Sequence, residues 1–252
     1  MLFAEWRLVL TGPADAYVNM AIDEATLVLV GEERVPPTLR IYQWNEQCCT
    51  VGYLQDVSAV AAALRGAKVM CVRRLSGGEA CLHGGDLSYT VAVSLLDTLI
   101  PSNVISSYER ISAGVIEGLR LLGVESRFAS PADVQVGKST VATAAQARRQ
   151  GVLLHQGTIA LGRRKSEVVP DLACRALTPL SELVGEDVDM DVAAEALSMG
   201  FRRALGVDLA QSVLFAKEKR LARQLLRVKY TQPEWTFSKP NPTGFRRRRE
   251  EP

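Results

Sequence analysis

Apolar residues return along this chain with two periods, about 3.6 for helices and about 2 for strands, and the two alternate without an internal repeat. From Tyr17 to Val30, Ala21, Ala25 and Leu27 through Val30 fall at helical spacing behind Pro13-Ala14-Asp15, and Gly31 to Pro37 reads as a loop. Leu39 to Tyr42, Cys49 to Tyr53 and Val69 to Arg73 read as strands, with Val57 to Leu64 a short helix between the last two. Asp86 to Val93 alternates apolar and polar residues and predicts a half-buried strand. Tyr108 to Leu122 carries Ile111, Val115, Ile116, Leu119 and Leu122 on one helical stripe that ends at Gly123. Asp133 to Val136, Val141 to Ala147 and Val152 to Leu161 predict a meander turning at Gly137-Lys138 and at Arg148 to Gly151. Helices are predicted over Ser181 to Val184, Val192 to Leu205 and Lys217 to Leu226, with Gly206-Val207-Asp208 separating the last two. Strands interspersed with helices and a helical end predict an α+β fold of mixed β-sheets flanked by helices.

Length and composition refine this only slightly. With 252 residues, 47% of them hydrophobic, the chain can bury a large core as one domain with or without a small appendage. A formal net charge of +2 supplies no general attraction to nucleic acid or membranes, and Arg246 to Arg249 read as a solvated basic tail. No stretch approaches the roughly 18 apolar residues of a membrane span, and no basic leader precedes an apolar run, so a cytoplasmic protein is expected. The cysteines Cys48, Cys49, Cys71, Cys81 and Cys174 form an odd set without C-x-x-C spacing. That argues against a disulfide framework and a zinc site, and no metal ligands are assigned.

The segment with most chemistry in it is Arg73-Arg74-Leu75-Ser76-Gly77-Gly78-Glu79-Ala80-Cys81-Leu82-His83. Adjacent glycines let main-chain N–H groups approach an anion closely, and two arginines add charge and forked donors. Taken alone, the segment fits a small anionic ligand or a glycine hairpin with two solvated arginines.

Together with Trp6-Arg7-Leu8, Thr11-Gly12-Pro13, Asn19 to Ala25, Pro37 to Trp44, Val51 to Gln55 and the tail Lys229-Tyr230 with Glu234-Trp235, this loop resembles the lipoate-protein ligase A and octanoyltransferase family, itself related to biotin-protein ligases. The resemblance runs over nearly the whole chain. It implies a biotin/lipoate protein ligase-like catalytic domain over 1–215, a helical appendage over 216–240 and a basic tail over 241–252. It also implies transfer of a lipoyl or octanoyl group to a lysine of a lipoyl-carrier domain, in a 2-oxoacid dehydrogenase complex or the glycine cleavage H protein. In the ligase branch, ATP and magnesium first convert the free acid to an acyl-adenylate. The residues at matching positions are Arg73, Arg74, Ser76, Gly77, Gly78 and His83, with His155, Gly157 and Thr158 further on, as substrate or adenylate contacts.

Departures from the family pattern keep three readings in play. The catalytic lysine position is Thr140, so Lys138, two residues upstream, is the substitute cation in an ATP-dependent ligase. The usual Gln-His-Gly reads His155-Gln156-Gly157, which points His155 to the opposite sheet face; His-Asp reads His83-Gly84, and the third loop glycine is Glu79. The second reading is an octanoyltransferase that takes its acyl group from acyl carrier protein. The nucleophilic cysteine of one such subgroup falls here on Arg127, and Cys81 is the thiol nearest the loop. A non-catalytic lipoyl-binding or accessory homologue is the third.

Overall fold

The computed structural model describes residues 5–64, 69–163 and 176–238; Cys174 and the tail arginines Arg246 to Arg249 lie outside them. Eleven strands and seven α-helices alternate along the described chain. In order they are β1 (Glu5–Ala14), α1 (Ala16–Gly31), β2 (Thr38–Trp44), β3 (Cys48–Val51), α2 (Ser58–Ala63), β4 (Met70–Arg73), β5 (Cys81–His83) and β6 (Asp86–Ser94). There follow α3 (Val104–Leu121), β7 (Arg127–Ala129), β8 (Asp133–Val136), β9 (Ser139–Arg149), β10 (Val152–Ala160), α4 (Leu180–Val184) and α5 (Met190–Leu205). The described chain ends with β11 (Asp208–Ser212), α6 (Ala216–Leu225), a π-helical turn (Leu226–Tyr230) and α7 (Pro233–Phe237).

Eight strands form one mixed sheet in the order β11-β1-β2-β6-β10-β9-β8-β7, and β4-β3-β5 form a second. The expected α+β class therefore holds. The region around Gly206-Val207-Asp208 is more than a spacer: after Gly206 caps α5 in the left-handed conformation, β11 pairs in parallel with β1 at the sheet edge. Its residues are mostly exposed, so no alternation of apolar positions marked it in the sequence. The strand expected to reach Tyr53 stops at Val51, because the carbonyls of Gly52 and Tyr53 turn inward to a buried guanidinium.

Helix α1 starts on Asp15, whose side chain accepts from the Val18 N–H at 2.8 Å, and is buried on nearly every side. It is covered by the large sheet, the small sheet and α6, which is why its sequence is apolar around most of its circumference. On the other sheet face α3 and α5 pack against each other and close the largest apolar cluster, with Ile111, Val115, Leu197 and Phe201 under Leu87, Tyr89 and Val91. Among the described residues no helix is long and apolar enough to cross a membrane.

Buried ion pairs tie the C-terminal helices to this frame. The Arg7 guanidinium donates twice to the Glu218 carboxylate, at 2.7 Å each, and also to Thr38 Oγ1. Lys229 and the Tyr230 hydroxyl both donate to Glu24 on α1, at 2.6 Å to Oε2. The tail motif Lys229-Tyr230 with Trp235 is thus a docking device on α1. Because removing one member of a buried pair strands the other charge, Glu218→Ala is expected to lower unfolding free energy by about 3–5 kcal/mol, read from urea denaturation.

His155 belongs to the face under α3. It is fully buried, its Nδ1 lies 3.0 Å from Gln146 Nε2 and its Nε2 3.1 Å from the Tyr89 hydroxyl. The Gln146 amide donates to Nδ1, leaving Nε2–H to donate to tyrosine. Burial lowers the His155 pKa to about 3. A base with a depressed folded pKa protonates first in the unfolded chain. Its stabilising contribution is therefore present above the unfolded value of about 6.5 and is lost as pH falls from there toward 3, at up to about 1.4 kcal/mol per pH unit. His155→Gln is expected to flatten the wild-type decline in unfolding free energy, measured by urea denaturation between about pH 6.5 and pH 4.5, by up to that slope.

Candidate active site

Strand register decides which side chains meet between the two sheets. Tyr42 pairs with Ser88, Ser88 with Thr158 and Thr158 with Thr143, one row across four strands; Arg40, Thr90, Gln156 and Ala145 form the next. With a side-chain period of two, both rows face α1 and the small sheet. Between them lies a cavity of about 240 Å³ whose far wall is Thr50, Arg74, the Gly78 to Cys81 turn and His83.

The loop of the arginine and glycine motif is built around its own cations. Arg74 donates from Nε to Ser76 Oγ at 3.2 Å, from Nη1 to the carbonyl and hydroxyl of Thr50 at 3.2 Å each, and from Nη2 to the carbonyls of Gly77 and Glu79 at 2.6 and 2.7 Å. All five N–H bonds of the fork thus have protein acceptors. Arg73, fully buried, reaches the carbonyls of Gly52, Tyr53, Gln55, Trp235 and Thr236. It does not line the cavity. Gly78 takes a φ of +84°, and its carbonyl would lie 1.8 Å from a Cβ at Gly52, so the two main chains cross at a point where only glycine fits. Ser76 is buried and Gly77 donates to the Gln146 carbonyl; neither is on the cavity wall. Glu79 is exposed at the rim.

His83 stands on the wall with both ring nitrogens engaged. Nδ1 lies 2.7 Å from Asp86 Oδ2 and Nε2 3.0 Å from Thr50 Oγ1, while Trp44 stacks on the ring at 4.1 Å. Since a carboxylate only accepts, Nδ1 carries a proton, and in the neutral ring Nε2 then accepts from the threonine hydroxyl. Asp86 also accepts from the Gly84 N–H at 2.7 Å, from Ser88 Oγ at 3.3 Å and from Thr158 Oγ1. Burial alone would raise its pKa, but the imidazole, the threonine hydroxyl and the Gly84 N–H outweigh it and hold the carboxyl well below the usual range. Asp86 therefore does for His83 what an adjacent acid would have done at Gly84.

The remaining expected residues divide. Gly157 and Thr158 line the cavity; His155 faces the other way. Its neighbour Gln156 lines the cavity instead, with Nε2 donating to Asp23 Oδ2 at 2.7 Å and Oε1 left without a partner. Lys138 is exposed in the turn between β8 and β9. The first lining residue on β9 is Thr143, five residues along and so roughly 16 Å away at about 3.3 Å per residue, beyond the reach of a lysine side chain. Arg127, on β7, is exposed and donates to Gln135. Thr50, Trp44, Asp86 and Gln156 were not among the expected residues. The alternation of β2, β6 and β10 was the available signal for Trp44, Asp86 and Gln156; Thr50 reaches the site through the packing of one sheet on the other, which no spacing encodes.

Comparison with known proteins agrees with this geometry. The family model of the lipoyl protein ligase A/B catalytic domain matches residues 15–202. The octanoyltransferase LipM of Kyrpidia tusciae is 35% identical over 93% of this chain and 99% of its own length. Among solved structures, the bipartite lipoate protein ligase of an archaeal lipoylation system, studied with its E2 lipoyl domain from Thermoplasma acidophilum, superposes with a TM-score of 0.81 at 26% identity, covering 94% of this chain and 98% of that one. A lipoate-protein ligase A bound with ATP gives a TM-score of 0.80 at 26% identity over 92% and 98%. Loop, cavity and fold thus converge with the sequence relationship: the chain belongs to the lipoyl protein ligase A/B catalytic domain family and is an enzyme of the lipoate-protein ligase and octanoyl/lipoyl transferase type.

Proposed function

We propose that this enzyme transfers an octanoyl group from the thioester of an acyl carrier protein to a lysine of a lipoyl domain, without activation by ATP. One observation carries the choice: both loop arginines already direct their donors to protein oxygens, so the motif works as scaffold. An adenylating enzyme must cradle phosphate charge with free cations and N–H groups. The groups here fit that poorly, with Glu79 placing an anion at the rim and Lys138 out on the turn. A thioester needs no such cradle, because its carbonyl is already bonded to a good leaving group.

The cavity suits that substrate. Apolar and aromatic groups, including Met20, Tyr42, Trp44, Ala144 and Ala145, line it beside neutral hydroxyls, so an aliphatic chain can be buried at about 25 cal/mol per Å². His83, Thr50 and Thr158 provide the polar end at which the acyl carbon reacts. Similarity to an octanoyltransferase LipM along almost the whole chain supports the donor, and the lipoyl domain studied with the archaeal ligase supports the acceptor.

Two donor mixtures test this with a lipoyl domain as acceptor, its mass being measured over time. Octanoyl-acyl carrier protein is expected to modify the domain at least about tenfold faster than octanoate with ATP and magnesium, a barrier difference of about 1.4 kcal/mol or more. Modification only in the ATP mixture overturns the proposal in favour of the ligase reading. Lys138→Ala is expected to leave the thioester-driven rate within about twofold, as for an exposed side chain remote from the reacting atoms. A tenfold loss would place that lysine in the reaction.

A further inference from the structure

Thr50, His83 and Asp86 stand in the order nucleophile, base, orienting acid, and we propose that the acyl group passes through an ester on Thr50 Oγ1 between donor and acceptor. The inference rests on the acyl-transfer reading above. Its geometry meets the two tests of such a relay, a hydrogen bond from nucleophile to base and another from base to acid. Thr50 Oγ1 lies 3.0 Å from Nε2, and Nδ1 lies 2.7 Å from Asp86. The ring is also held by Trp44, which stacks on it at 4.1 Å and whose Nε1 donates to Ser88 Oγ at 2.9 Å. Asp86 is fixed in turn by Ser88, Thr158 and the Gly84 N–H.

The second nitrogen of any buried imidazole needs a partner, as the Tyr89 hydroxyl serves His155, but a hydroxyl serving only that end would not need a cation beside it. Here Arg74 Nη1 donates to Thr50 Oγ1 at 3.2 Å, on the oxygen whose negative charge grows as its proton leaves. Thr50 and His83 both border the cavity in which the acyl carbonyl would lie. The competing nucleophile is Cys81, which lies directly across the strand pair from Thr50 and borders the same cavity.

The chemistry balances. Nε2 takes the Thr50 hydroxyl proton as Oγ1 bonds to the thioester carbonyl carbon; the C–S bond breaks, and the departing sulfur takes the proton from the imidazolium, leaving the ester and a free thiol. The neutral amine of the acceptor lysine then attacks the ester carbon. Nε2 removes a proton from that nitrogen and returns it to Oγ1 as the C–O bond breaks, giving the amide and the original hydroxyl.

The test uses the full chain with octanoyl-acyl carrier protein, first without and then with a lipoyl domain. Without acceptor, intact mass is expected to show one octanoyl group, mapping to the peptide of Thr50 and surviving neutral hydroxylamine, which removes thioesters. Adding the lipoyl domain is expected to discharge it. Thr50→Ser is expected to keep both steps, and Thr50→Val, matched in shape, to lose the adduct and at least about a hundredfold in transfer rate, near 2.7 kcal/mol. Thermal unfolding of Thr50→Val within a few degrees of wild type separates this loss from misfolding; if that variant does not fold, the position and discharge of the adduct in wild type and Thr50→Ser decide. An adduct on Cys81, or transfer by wild type with no ester on Thr50, overturns the inference and leaves the acyl-transfer reading standing. Absence of transfer by wild type from the thioester overturns both.

Discussion

A single guanidinium holds the site together. Arg74 is surrounded by the carbonyls of Thr50, Gly77 and Glu79 and the hydroxyls of Thr50 and Ser76. Each of these oxygens accepts a charge-assisted bond, and breaking one in a buried place costs more than a neutral bond would. The loop from Ser76 to Glu79 therefore has one low-energy path, wrapped around the cation. Thr50 is fixed on the other side of the same group, so the glycine loop and the strand of the small sheet are placed relative to each other by one side chain. Arg73 extends the arrangement outward: it gathers carbonyls of the turn after β3 and of α7 in the same way. Without that second clamp the tail helix would have little reason to lie where Trp235 Nε1 can donate to the Arg73 carbonyl at 2.8 Å.

The inner face of the large sheet supplies the opposite wall by a similar economy. Asp23 on α1 accepts from Arg40, Thr90 and Gln156, one residue from each of three neighbouring strands in a single row. Asp86 does the same for the next row, through Ser88 and Thr158, and adds His83 from the small sheet. Two buried carboxylates thus fix the polar residues of the floor. The desolvation cost of each is offset by three or more donors, which is the condition under which a buried charge is tolerated.

Much of this was legible in the sequence, for reasons that differ by residue. Helices α1, α3 and α5 and strands β6 and β10 show strong periodicity or capping residues, and their expected bounds agree with the structure to within a few residues. The exchange of order at His155-Gln156 turns the histidine away from the cavity as strand parity implies, so His155 does not stand with the other residues expected to contact substrate or adenylate. Two things were hidden. An arginine beside a glycine loop looks the same whether its donors meet a ligand or the loop's own carbonyls, so Arg73 and Arg74 could not be assigned by residue type. Thr50 becomes a partner of His83 only when β3 lies beside β5, a long-range event with no local signature, whereas Asp86 meets His83 across the short Gly84-Gly85 turn.

In the proposed thioester reaction, the charge pattern at the cavity fits a loop that keeps the residue types of a phosphate-binding motif while serving a different substrate. Positive charge at Arg74 is screened from the cavity only in part: its N–H bonds are engaged, but its field still acts on Thr50 Oγ1 at 3.2 Å. A multiply charged phosphate needs several free donors and would meet Glu79 at the rim. An oxygen that carries negative charge only transiently, in the middle of an acyl transfer, needs one cation held at a fixed distance and nothing more. In the proposed reaction this guanidinium is placed to stabilise that oxygen, because its other four N–H bonds hold it at 3.2 Å from Thr50 Oγ1.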